Sequence, residues 1–133
     1  MKTDLISLWL EACPSFKPAL EESCAENGKE HLCVHAAAFA RHLLKLHMAR
    51  RTEEFPAVAA FIESLHLDTD STAREFATVG ILESIQNVWS NSGTSPVEFF
   101  PCLLPASAAA WHRLNRFWSQ EVPIISDAPP SFP

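Results

Sequence analysis

The 133-residue chain has no tyrosine and only three glycines, a shortage that argues against a glycine-rich barrel or sandwich and favours helices. No stretch reaches the roughly 20 apolar residues that a membrane span needs; Asp4 and Glu11 bracket the first apolar run. A secretory leader pattern is also missing, so the expected location is the cytoplasm, with no membrane partner. Cys13, Cys24, Cys33 and Cys102 form no C-x-x-C pair and read as free, small hydrophobes rather than bridges. No glycine loop able to cradle phosphate and no lysine-bearing nucleotide motif occurs. No cofactor is expected, and catalysis is not favoured.

Basic charge is in deficit as well. Ten Lys and Arg stand against sixteen Asp and Glu, a formal net charge of -6. An acidic surface disfavours nucleic acid, whose phosphates need a basic footprint. It suits a basic protein partner, although net charge also simply keeps a protein soluble.

What is present is apolar material in helical register. Hydrophobic residues make up 47% of the chain, enough for one domain that buries about two-thirds of its unfolded surface without a staple. The domain is placed at residues 1–121, with a proline-rich tail at 122–133 that Ile124, Ile125 and Phe132 can pin down. Thr3 or Asp4 caps a first helix carrying Leu5, Leu8, Trp9 and Ala12, and Pro14 stops it. Pro18 fits the first turn of a second helix, which Asn27-Gly28 closes. A third runs from Glu30 to Arg50 with Leu32, Ala36, Phe39, Leu43 and Leu46 recurring at three- and four-residue spacing. Pro56 opens a fourth, ending near Leu67. Thr72 with Glu75 fits a capping box for a fifth that reaches Val88 or Ser90. A last helix begins at Pro105 or Ser107, with Trp111, Leu114, Phe117 and Trp118 on one side. The expected fold is all-α, six or seven helices in an irregular antiparallel bundle or a short helical-repeat-like stack.

The span Ser71–Ser90 is the most informative. As a continuous α-helix it gathers Ala77, Thr78, Ile81, Leu82, Ile85, Val88 and Trp89 on one core face. The opposite side holds Phe76, Val79, Gly80, Glu83 and Asn87, with Gln86 at its edge. An idle outer face would carry Lys, Arg and Glu pairs. Gly80 weakens a helix by about 1 kcal/mol relative to Ala, which close approach of another backbone would offset. Either the helix lies centrally and both faces are buried, or Phe76, Glu83, Gln86 and Asn87, with Glu75 as a rim charge, form a partner-binding patch.

His31 and His35 have the i, i+4 spacing that can chelate a metal. An exposed polar face shared with His42 is the preferred explanation, and no H-E-x-x-H motif accompanies them; no metal site is assigned. His47 and His66 read as helix-edge residues. Trp111 and Trp118, seven residues apart, share a stripe suited to core anchoring or to an interface.

Three segments carry a resemblance to a known kind of protein: Leu8-Trp9 through Phe16, the block Val79-Gly80-Ile81-Leu82-Glu83-Ser84-Ile85-Gln86-Asn87, and the helix from Trp111 to Trp118. The chain resembles a family of small, uncharacterised bacterial all-helical domains. It is similar in type to the small acidic helical proteins that accompany polymorphic toxins and neutralise them. That resemblance implies no catalytic residue. It implies an immunity protein working by occlusion, a preformed acidic and aromatic patch covering a basic toxin surface. The expected function is therefore a non-catalytic protein-binding module. The alternatives are a small-molecule or metal-binding enzyme using His31 and His35, or a structural homo-oligomer with Trp89 or the Trp111–Trp118 helix at its seam.

Overall fold

The structure, a computed structural model, describes residues 4–118. The expectations for the tail at 122–133 and for a domain boundary at 121 lie outside the described residues. Within them the fold is all-α. Seven α-helices and no strand are found there: α1 (Leu5–Ala12), α2 (Lys17–Asn27), α3 (Leu32–Met48), α4 (Phe55–His66), α5 (Ser71–Glu75), α6 (Glu83–Asn91) and α7 (Pro105–Trp118). The arrangement is consistent with an irregular antiparallel bundle. No helix among the described residues is long and apolar enough to cross a membrane.

The helix ends follow local chemistry. Asp4 caps α1, its carboxylate accepting from the Ile6 amide at 3.1 Å and the Ser7 hydroxyl at 3.0 Å. Gly28 ends α2 at a φ of 95°, a conformation open to glycine at little cost. Asp70 caps α5, accepting from the Thr72 amide at 2.9 Å, and so takes the capping place expected of Thr72. Helix α3 stops at Met48 rather than Arg50. Arg50 sits in the left-handed region at a φ of 60°; its amide bonds back to the His47 carbonyl at 3.1 Å and that of Arg51 to the Leu46 carbonyl at 2.8 Å. This is a left-handed helix end with arginine where glycine is usual.

Two aromatic clusters fill the core. The Trp9 ring meets those of Phe16, Phe39, Phe61 and Phe76 at centroid distances between 5.3 and 6.2 Å. Its buried Nε1 has no hydrogen-bond partner among the described residues, a cost of about 1–3 kcal/mol set against pairs worth ~0.5–1.5 kcal/mol each. The second cluster joins Trp89 to Phe99 and Phe99 to Phe55, at 5.6 Å in each case. Trp89 is fully buried and its Nε1 donates to the Ala40 carbonyl at 3.0 Å, which ties α6 to α3.

The expected single helix from Ser71 to Ser90 is interrupted. Between α5 and α6 the backbone runs as a π-helical segment, Phe76–Leu82, closed by the Glu83 amide bonding to the Thr78 carbonyl five residues back. Each such turn holds more residues than an α-turn, so side chains drift around the axis relative to a 100° wheel. The segment is also central, packed against α3, α4 and α7. Phe76 and Gly80, placed on the outer face by α-helical counting, are consequently buried with Ala77, Ile81 and Leu82.

Candidate functional site

The five residues singled out as a partner-binding patch divide into two groups. Phe76 turns inward onto Trp9, ring centroids 5.6 Å apart and nearly perpendicular. Gln86 is buried, its amide donating to Asn115 Oδ1 at 3.1 Å and fastening α6 to α7. Glu75 and Asn87 are exposed and Glu83 is half-buried. Together with Val79, 50% exposed, these three follow one another at four-residue steps, Glu75, Val79, Glu83, Asn87, which places them along one outer strip. Burial raises the Glu83 carboxyl above its ordinary value of 4.5, and no hydrogen bond or ion pair to it is found among the described residues.

The histidines are mostly structural. His35, expected on an exposed polar face, is completely buried. Its Nε2 donates to the Gly28 carbonyl at 2.9 Å and lies 3.6 Å from the Cys24 sulfur, and Nδ1 meets the Ser23 hydroxyl at 2.6 Å. Both ring nitrogens are thus engaged in holding the α2–α3 turn, and neither points with the exposed His31 toward a shared ion. No group of three metal-ligating side chains occurs among the described residues.

His66 sits in a second polar chain. Its Nδ1 lies 3.0 Å from Ser107 Oγ and its Nε2 2.9 Å from Thr78 Oγ1. Ser107 Oγ in turn donates to Glu63 Oε1, which also accepts the Ser107 amide; Glu63 Oε2 accepts the Ala106 amide, all at 2.9 Å. The Glu63 carboxylate therefore caps α7 from across the bundle. Burial pushes its pKa up, and these hydrogen bonds more than reverse that, leaving it below the usual range. Ser107 is completely buried, so the Ser–His–Glu contacts clamp helices together and present no nucleophile.

A third cluster has an exposed serine. Ser15 Oγ lies 2.8 Å from His42 Nε2, the separation of a nucleophile and its base. Acyl transfer also needs amide donors for the developing oxyanion. Here the Ser15 amide is spent on Glu54 Oε1 at 3.2 Å and the Phe16 amide on the Cys13 carbonyl at 3.0 Å. Burial, assisted by the adjacent Glu54, pushes the Cys13 thiol up to about 12, leaving it protonated and inert. All four cysteines are free.

A sequence profile for a domain of unknown function, DUF7674, matches residues 6–119. The chain belongs to that family. The DUF7674 match spans all seven described helices apart from the start of α1, including the three segments that carry the resemblance to a small helical domain family. No curated protein and no solved structure matches the chain.

One further cleft has no counterpart in any sequence pattern. It measures about 460 Å³ and lies between the end of α3, the start of α4 and the turns at 96–104. His47 and Glu98 meet beside it, Nε2 to Oε1 at 2.6 Å. Their separation of 51 residues leaves no local pattern to find.

Proposed function

We propose that this DUF7674 chain is a non-catalytic protein-binding module whose docking strip is Glu75, Val79, Glu83 and Asn87. The observation that carries the reading is the state of Glu83: a carboxylate partly withdrawn from water, with its pKa raised by that withdrawal, beside a half-exposed valine. A lysine or arginine from a partner would pair with the carboxylate in a partly desolvated place, where such pairing is most favourable. Asn87 offers both hydrogen-bonding roles and Val79 an apolar contact. The net charge of -6 selects a basic partner. In its most specific form the partner is a toxin and the module occludes it; the resemblance to immunity proteins supports that form. Homo-oligomerisation through Trp89 is disfavoured, since that ring is fully buried within the chain.

Co-purification from the native cell at low salt, with partner identification by mass spectrometry, tests this reading. A basic protein retained by the wild-type chain, released by salt and absent from the Val79→Asp/Glu83→Lys variant is expected. Recovery of monomer alone, or equal retention by the variant, would overturn it.

A further inference from the structure

The cleft between α3, α4 and the 96–104 turns shares no residue with the docking strip and has a chemistry of its own. Its volume of about 460 Å³ falls in the range of small-ligand sites, roughly 300–1,000 Å³. Phe55, Pro56, Ala59 and Leu104 give it apolar walls. Polar groups come from Thr52, Cys102, His47 and Glu98, and among the described residues no lysine or arginine lines it. Burial raises the Cys102 pKa, so this wall offers a neutral thiol rather than a second anion.

Glu98 is the one carboxylate in the lining among the described residues. A carboxylate only accepts, so the 2.6 Å contact means that His47 Nε2 donates to Oε1. A tilted ring contact holds the imidazole in turn, its centroid 5.0 Å from that of Trp89, and Trp89 is anchored to Ala40. A chain of contacts from the core therefore holds Glu98 in place, while Oε2 makes no described hydrogen bond. An anionic ligand would meet the Glu98 carboxylate, with no lysine or arginine among the described residues of the lining to offset it. A protonated amine with a compact apolar body complements the carboxylate and the apolar walls: ammonium on Glu98, body against Phe55, Pro56 and Leu104.

We infer that this cleft binds a small organic amine, recognised by Glu98 as its anionic anchor. Phenethylamine is the probe, with phenethyl alcohol and 3-phenylpropionate as shape-matched neutral and anionic comparators. Titrations are followed by calorimetry and by NMR shifts of His47 and Cys102. Phenethylamine is expected to bind at least about tenfold more tightly than the alcohol, the value of one charge-assisted hydrogen bond, and the propionate not at all. Glu98→Gln, at an exposed position, should bring the amine down to the level of the alcohol. Thr52→Trp, also at an exposed position, should abolish binding of both by filling the mouth. Equal binding of amine and alcohol, amine binding unchanged in Glu98→Gln, or no saturable amine binding by a folded wild-type protein would each overturn the inference.

Discussion

The ring of Phe76 occupies the space that a side chain at residue 80 would require. A Cβ on Gly80 would lie 2.5 Å from Phe76 Cδ1 and 2.8 Å from Cε1, well inside van der Waals contact. The ring cannot swing clear cheaply, because Trp9 packs against it. Gly80 is thus the condition for Phe76 to lie along its own helix and enter the core.

In most helix interiors Gly→Ala stabilises by about 1 kcal/mol. At Gly80 the sign reverses, since overpacking costs about 1–3 kcal/mol. Urea denaturation of Gly80→Ala should show a loss of stability. The loss should be smaller in a Phe76→Leu background, a coupling of at least ~0.5 kcal/mol between touching residues. A stabilised Gly80→Ala would contradict the packing described.

Arg50 gives the opposite case. A non-glycine residue in the left-handed region costs roughly 1 kcal/mol, and Arg50 holds that conformation at the end of α3. Arg50→Gly should raise stability by up to ~1 kcal/mol despite glycine's greater unfolded-state freedom. Thermal denaturation at matched pH decides it.

The polar clamps make stability fall in acid. Burial lowers the pKa of His66 and of His42 below the ordinary 6.5, so below about pH 6.5 the unfolded chain binds more protons than the folded one. Stability present above that pH is lost as pH falls, at up to about 1.4 kcal/mol per pH unit for each proton taken up on unfolding. Glu63, also held low, adds a further loss at lower pH, starting below about 4.3. Urea midpoints should decline between about pH 7.5 and pH 5.5, and His66→Gln should make that decline shallower. A flat profile would contradict the clamp.

His35 carries the α2–α3 turn. His35→Ala strands the Gly28 carbonyl and the Ser23 hydroxyl and should cost about 2–4 kcal/mol. Zinc added to the wild type should leave the melting temperature unchanged, because both ring nitrogens are engaged. A zinc-dependent increase would restore the metal reading of His31 and His35.

Much of the fold was legible because short-range chemistry determines it. Asp4, Gly28, Pro18 and Pro56 marked helix ends by capping and φ restriction, and the three- and four-residue spacing of Ala36, Phe39, Leu43 and Leu46 marked the inner face of α3. Gly80 stood out as a residue needing close approach, but the approaching group is Phe76 of the same helix rather than another backbone. The π-helical segment has no spacing signal of its own, so a 100° wheel turned Phe76 outward. Likewise His35 looked like surface because its partners Ser23 and Gly28 belong to a turn whose closure only the tertiary structure shows. Of the strip, Glu75, Glu83 and Asn87 were singled out and Val79 was placed on the same face. The His47–Glu98 pair was invisible, since nothing local links the two residues.

The account rests on the roll of the Phe76–Leu82 segment, which sends Phe76 into the core and leaves Val79 in solvent. Parallel denaturation of Val79→Asp and Phe76→Asp tests it most directly. Val79→Asp should stay within about 0.5 kcal/mol of wild type, as a surface substitution does, while Phe76→Asp should lose cooperative unfolding through a buried, unpaired charge. A stable Phe76→Asp alongside an unfolded Val79→Asp would contradict the account and put the docking strip on the wrong side of the helix.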